Sequence, residues 1–197
     1  IAQPSFAEKP TIEQNKKFVL DGKTLIYNDN LPNISEEDFI TIDDVKIFKH
    51  LFENYNINTL RLSSSGGQDF AGHKIRDLVQ KYKINTEAAG ECSSACSFIF
   101  LAGKKRKLLR NAKLGFHNRY TKVEDQNARI KKVEAFDERL DYENTIAHFT
   151  RLNVTNEIVF YQMQGIDMFF ILRMLKVHPK DMWYPDIEEL KKYGVLN

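Results

Sequence analysis

Apolar and polar positions change period several times along the chain, and each change predicts an element. Residues 18–20 and 23–27 are apolar-rich runs flanking Asp21-Gly22, a two-residue turn signal, and predict a β-hairpin or bent strand pair. Residues 29–37 are loop-like. From Thr41 onward Val45, Phe48, Leu51 and Phe52 recur at helical spacing, with Asp43 and Asp44 near the start, and the Asn-rich stretch 54–58 ends that helix. Thr59-Leu60-Arg61-Leu62 predicts a short strand that stops at Ser63-Ser64-Ser65-Gly66-Gly67. Phe70, Ile75, Leu78 and Val79 mark a second helix ending near Tyr82. Residues 84–88 predict a strand, 90–95 a turn, 96–102 a buried helix, and 114–117 the end of another strand. Strand, helix, strand, turn, helix is the order of an α/β domain with parallel crossovers.

From Glu124 the pattern turns helical. Residues 128–152 carry Ile130, Val133, Phe136, Leu140 and Tyr142 in part of an apolar stripe. Further helices are predicted over about 156–164, 167–177 and 186–193, the last closed by Gly194. The expected organisation is a flexible segment 1–15, an α/β core over 16–123, and a helical part over 124–197 on the same core.

Composition adds boundaries. The chain has 197 residues, 42% hydrophobic and 28% charged, enough for one domain with a core of useful size. Its net charge is +2, so no basic excess points to nucleic acid. No apolar run approaches the roughly 18 residues of a membrane span. Ser5-Phe6-Ala7-Glu8 faintly resembles the end of a cleaved export signal, against the plainer reading of a disordered N-terminus.

Three segments carry candidate chemistry. Ser64-Ser65-Gly66-Gly67 ends a strand, where open α/β sheets bind ligands, and its glycines permit close approach and an N–H aimed at a developing oxyanion. The same string also suits a plain strand-to-helix turn. In Gly90-Glu91-Cys92-Ser93-Ser94-Ala95-Cys96, a small-residue turn feeds an apolar helix that ends at Gly103. A serine there sits in the positive potential of unpaired N–H groups, or is an ordinary N-cap. His117, 23 residues after Ser94, could take the serine proton and return it to a leaving group. Nothing local separates it from His50, His73, His148 and His178.

In order and spacing, these three segments together resemble the Clp protease proteolytic subunit. In that family a strand ends in Ser-Pro-Gly-Gly, a Gly-x-Ala-Ala-Ser-type elbow opens an apolar helix, and a basic loop and strand deliver the catalytic histidine. The resemblance is close over residues 60–117 and looser over Ile187-Glu188-Glu189-Leu190-Lys191-Lys192-Tyr193-Gly194-Val195. It implies an α/β ClpP/crotonase-like spiral of ββα units, here with additional C-terminal helices. It also implies a serine hydrolase, expected to be a peptidase, with Ser94 as nucleophile, His117 as general base, and the N–H groups of Gly67 and Ala95 as the oxyanion hole. The substrate would be a peptide or another acyl compound, with no metal or organic cofactor, and the chain would assemble as a trimer or larger ring. Cys92-Ser93-Ser94-Ala95-Cys96 is similar to the Cys-x-Ser-Ala-Cys elbow of a branch expected to be periplasmic. Export is therefore one expectation and a cytoplasmic location the alternative.

Departures from the pattern matter. Ser65 stands where the protease has proline, and the spacing from serine to histidine is slightly shorter. The orienting acid should precede Trp183-Tyr184, where Asp181 is the best carboxylate and Asp167 or Asp186 are alternatives. No segment suits docking an ATPase ring. A missing acid favours a rival reading, an inactive ClpP-fold binding or assembly protein. A crotonase-type acyl-CoA enzyme, with the serine incidental, is a third. Cys92 and Cys96 are either two buried thiols or, given a bend at the elbow, a disulfide, because i and i+4 positions of a regular helix lie too far apart to bridge. A cysteine nucleophile is a weaker idea, and the pair alone makes a poor zinc site. Lys104-Lys105-Arg106-Lys107 and Arg110 read as a solvated loop. Phe169, Phe170, Trp183 and Tyr184 read as core or subunit interface.

Overall fold

Alternation of apolar side chains builds the sheet from its first strands. Leu25 and Tyr27 point to one face of β2 (Thr24–Asn28), and both are fully buried. The strand before it, β1 (Phe18–Asp21), pairs antiparallel with β2 through a turn at Gly22, whose φ is +56°. This is the predicted hairpin. The computed structural model describes residues 16–35, 39–118 and 136–197, without the side chains of 136–147 and 149. The expected flexible segment 1–15 with Ser5-Phe6-Ala7-Glu8, the boundary between 123 and 124, and the Ile130–Val133 part of the charged helix lie outside the described residues.

Six strands form a mixed sheet. β3 (Thr59–Ser64) runs parallel to β2, and β4 (Asn85–Ser93) runs parallel to β3. Two short strands share the far side of β4. β5 (Arg106–Leu108) pairs parallel with Thr86–Ala88, and β6 (Lys113–Gly115) pairs parallel with Glu91–Ser93. The order is β1-β2-β3-β4-β5, with β6 also on β4. The turn expected over 90–95 is only half right. The strand expected over 84–88 continues to Ser93, and the register shifts from Leu62 opposite Ala88 to Ser64 opposite Cys92. Gly90, with φ +85°, absorbs the extra residues as a bulge inside the strand.

Three helices accompany these strands. α1 (Ile42–Asn54) starts at a capping box in which Thr41 and Asp44 exchange hydrogen bonds. α2 (Asp69–Lys81) follows β3, and α3 (Ala95–Leu101) follows β4 and is buried on every side. Phe48, Leu51, Leu60, Leu62, Ile75 and Ile99 are fully enclosed. Each such side chain contributes about 1.5–3 kcal/mol on burial. α2 and α3 approach closely at Gly72, where an added Cβ would lie 2.9 Å from the Ala95 Cβ.

Residue contacts divide the chain into two units. The strands and α1–α3, up to Phe116, form one, together with Tyr184–Asp186 and Leu196–Asn197. The other spans His117–Trp183 and Ile187–Val195. It holds α4 (Phe136–Met163), α5 (Met168–Lys176) and α6 (Ile187–Lys192). The helices expected over 128–152 and 156–164 are, among the described residues, one helix. No glycine or proline interrupts 152–156, and Asn and Thr oppose a helix only mildly. Asp167 caps α5, its carboxylate accepting from the Phe169 N–H at 2.7 Å. Phe170 is buried against Trp183, with ring centres 4.8 Å apart, whereas Phe169 is exposed. Arg173 lies over the Trp183 ring at 4.2 Å and pairs with Glu189 at 2.6 Å, joining α5 to α6. No helix among the described residues is long and apolar enough to cross a membrane.

The basic run is not the uniformly solvated loop expected. Arg106 is buried at the start of β5, where its guanidinium lies 3.4 Å from the carbonyls of both Leu101 and Gly103 at the end of α3. Burial draws its pKa down to about 10. The carbonyls left over at a helix C-terminus account for this placement. Lys104, Lys105 and Lys107 do face solvent.

Candidate active site

Two parallel strands, β3 and β4, end side by side, and each runs into a turn rich in small residues. The turn after β4 is a strained elbow. Ser94 has φ +55° and ψ −123°, a conformation that side chains other than glycine rarely adopt. It occupies the N-cap position of α3, yet its side chain makes no capping hydrogen bond. The ordinary N-cap explanation of this serine therefore fails. The Ser94 N–H donates to the Gly115 carbonyl on β6 at 3.1 Å, and the Ser97 hydroxyl holds the Ser94 carbonyl at 2.7 Å.

Cys92 and Cys96 form a disulfide, with Cα atoms 5.2 Å apart. Cys92 belongs to β4 and Cys96 to α3, so the bridge spans the elbow instead of a helical turn, as the bend required. Both residues are fully buried.

The turn after β3 lies against this serine. A Cβ on Gly66 would sit 2.8 Å from the Ser94 Cβ and 3.3 Å from its Oγ. At Gly67 an added Cβ would sit 2.6 Å from both the N and the O of Ile40. Gly66 and Gly67 have φ of +118° and +139°, so both positions require glycine for conformation as well as for space. The turn is pinned to the segment before α1. Ile40 N–H donates to the Gly66 carbonyl at 3.0 Å, and Gln68 N–H donates to the Ile40 carbonyl at 2.8 Å. Among the described residues, no hydrogen bond is found from the N–H of Gly67 or of Ala95. Two unused main-chain donors beside a strained serine can receive an anionic oxygen.

Behind the turn lies a buried polar network with no counterpart in the sequence expectations. Ser64 donates to Asp29 Oδ2 at 2.7 Å and accepts the Gly66 N–H at 3.1 Å. The Tyr27 hydroxyl is 3.0 Å from Asp29 and 3.1 Å from Asp44, and Lys17 pairs with Asp44 at 2.6 Å. Burial and the two carboxylates push the Tyr27 phenol far up. Burial also pushes the Asp29 carboxyl up to about 6, against hydrogen bonds from Ser64 and Tyr27. A signal for Asp29 existed. It continues the Leu25, Tyr27 alternation and so belongs to the buried face.

A second cluster was also missed. Glu91 accepts from Ser93 at 2.8 Å and from the Tyr184 hydroxyl at 2.7 Å, and pairs with Lys113 at 2.9 Å. Lys113 in turn lies over the Tyr184 ring at 4.3 Å. Burial opposes ionisation of Glu91, but these bonds together hold its carboxyl below the ordinary range.

His117 lies two residues beyond Gly115, the acceptor of the Ser94 N–H, and covalent geometry keeps the two Cα atoms within about 7 Å. Its ring is half-buried. The next residue, Asn118, donates its N–H to the Val177 carbonyl at 3.1 Å, so an apolar residue runs alongside there. Of the three candidate acids, Asp167 is the α5 cap. Asp181 is exposed beyond α5, and among the described residues only its N–H is engaged, with the His178 carbonyl at 2.9 Å. Asp186 is exposed just before α6.

A sequence profile of the Clp protease family matches residues 50–156. No curated protein sequence matches the chain. Among solved structures it is similar to a point mutant of ClpP1 from Listeria monocytogenes, at 20% identity and a TM-score of 0.54, covering 89% of this chain and 90% of that one. ClpP1 from the same organism matches at 20% identity and a TM-score of 0.51, covering 79% and 81%. These structures share the mixed α/β fold.

Proposed function

Because the chain belongs to the Clp protease family, we propose that it is a serine peptidase working by acyl transfer through Ser94. The observation that carries this reading is the Ser94 elbow. Its backbone is strained, its side chain does not cap the helix it precedes, and glycine at 66 gives it room. Strain of this kind is kept where surrounding structure enforces it, and the disulfide and the Gly115 bond supply that enforcement.

In the proposed reaction the Ser94 Oγ attacks the scissile carbonyl while His117 takes its proton. The carbonyl oxygen becomes an anion received by the N–H groups of Gly67 and Ala95. His117 then passes the proton to the leaving amine, and water reverses the sequence to free the acyl product. A carboxylate in the 181–186 segment, Asp181 or Asp186, orients the histidine. Self-assembly into a trimer or larger ring belongs to the same proposal, as does an exported, periplasmic location. The disulfide supports the latter, since such bridges persist in oxidising compartments.

A fluorophosphonate probe tests the reading. Wild type should be labelled, Ser94→Ala should not, and His117→Ala should be labelled at least a hundredfold more slowly, within the usual range for general bases. The second reading, a non-catalytic assembly protein, is favoured by Asp181, whose side chain makes no hydrogen bond or ion pair among the described residues. Absence of labelling in well-folded wild type, with no thermal stabilisation by an acyl-CoA, supports it.

A further inference from the structure

The proposed chemistry makes no use of a fully buried carboxylate just beyond β2. Asp29 follows β2, is fully buried, and its Oδ1 has no hydrogen-bond partner among the described residues. We propose that Asp29 is a positioning residue that sets the direction of the Gly67 N–H through the Ser64 hydroxyl, an inference that rests on the hydrolase reading for its catalytic consequence.

The coupling runs through one rigid peptide group. The carbonyl of Gly66 and the N–H of Gly67 belong to the same planar unit, so whatever turns one turns the other. Gly66 O already accepts from Ile40 N–H at 3.0 Å. The Ser64 Oγ lies within reach of two acceptors, Asp29 Oδ2 at 2.7 Å and Gly66 O at 3.3 Å, but has a single proton. An ionised Asp29 takes that proton in the shorter, charge-assisted bond. The hydroxyl oxygen then accepts the Gly66 N–H at 3.1 Å, and Gly66 O is left to Ile40. A protonated Asp29 can instead donate to Ser64. The serine proton then turns to Gly66 O, competes with Ile40 and tilts the peptide that carries the Gly67 N–H.

The groups around Asp29 keep it poised for this exchange. Tyr27 from β2 donates to Oδ2 at 3.0 Å, and Ser64 from β3 donates to the same oxygen. Asp44 from α1 shares the Tyr27 hydroxyl and opposes ionisation of Asp29, and Lys17, just before β1, is paired with Asp44 and favours it. With burial outweighing the rest, the carboxyl sits near 6, so the exchange falls between about pH 5 and 7.

Histidine titrates in the same window, so a pH–rate profile alone does not decide the matter. The deciding measurement is the amide shift of Gly66 and Gly67, followed by NMR from pH 5 to 8 in protein labelled at its nine glycines. A step near pH 6 is expected at both amides. It should persist in His117→Ala and disappear in Asp29→Asn and in Ser64→Ala, which removes the rotor but leaves the carboxylate. No step, or a step that follows His117 instead of Asp29, overturns the proposal. This arm needs no turnover, so it stands even where wild type proves inactive and the hydrolase reading fails. In an active enzyme, Asp29→Asn should lower kcat about tenfold at pH 8 with KM unchanged, a fraction of what losing an oxyanion donor outright costs. A rise in KM with kcat intact also overturns it.

Discussion

The disulfide across the elbow allows a prediction worked from chain length alone. Cys92 and Cys96 are separated by four positions, so the loop they close is short. Closing about five residues removes about 7 cal/mol/K from the unfolded chain, or about 2 kcal/mol at 25 °C. In a domain of this size that is about 4–8 °C in Tm. Holding Ser94 at positive φ costs about 1–3 kcal/mol, a sum of similar size. Reduction should therefore do two things. The melting transition should fall by several degrees, and Ser94 should relax from its strained conformation, so that labelling by the fluorophosphonate probe slows even far below the melting temperature. The assay is a thermal melt and a labelling time course, each with and without reductant, on wild type and on Cys92→Ala/Cys96→Ala. The double variant should behave as reduced wild type and be indifferent to reductant. A reductant that leaves Tm unchanged, or shifts the double variant equally, refutes the reasoning. A fall in Tm with full labelling retained shows that the bridge does not hold the elbow.

Two further outcomes can be checked by urea unfolding. Gly67→Ala combines a φ of +139° with a Cβ 2.6 Å from the Ile40 backbone, and should lose about 2–5 kcal/mol; a change under about 1 kcal/mol contradicts the close approach. Glu91→Gln should destabilise by about 1 kcal/mol at pH 7, because it weakens charge-assisted bonds to Tyr184 and Lys113 at a partly exposed site. The folded carboxyl is held below its ordinary 4.5, so its stabilisation is present above that pH and is lost as pH falls through the folded value. The gap between wild type and variant should therefore close as pH falls through the folded value, and a gap that acidification leaves unchanged contradicts the assignment.

Much of the core was legible because single residues carried enough information. Asp21-Gly22 specifies a hairpin turn, and Val45, Phe48, Leu51 and Phe52 specify one face of a helix. Gly66-Gly67 and Ser94 were found by motif, but the reason they matter is conformational. Whether a serine caps a helix or stands strained before it depends on φ, which no residue letter records. Strand β4 was read short because Gly90, a turn signal locally, is tolerated as a bulge when neighbouring strands hold both halves. Arg106 was read as solvated because its partners are backbone carbonyls, invisible in a charge pattern. The buried network was missed for a similar reason. Lys17, Tyr27, Asp29, Asp44 and Ser64 are scattered over almost fifty positions and meet only once the sheet and α1 are packed. The choice among Asp167, Asp181 and Asp186 stayed open because the segment beyond α5 has no periodicity of its own.

The hydrogen bond from Ser94 to Gly115 bears on how freely the intervening chain can vary. β4, which runs into Ser94, and β6 are neighbours in one ladder, and strands so paired lie about 4.8 Å apart whatever connects them. The stretch from α3 through the basic run and β5 is an excursion that leaves this ladder and returns to it. Residues can be added to or removed from its exposed turns without altering the spacing of the two strands at its ends. The length of that excursion therefore does not set how far β6 lies from the Ser94 elbow. Counting residues measures the detour, and the ladder measures the separation of the two strands.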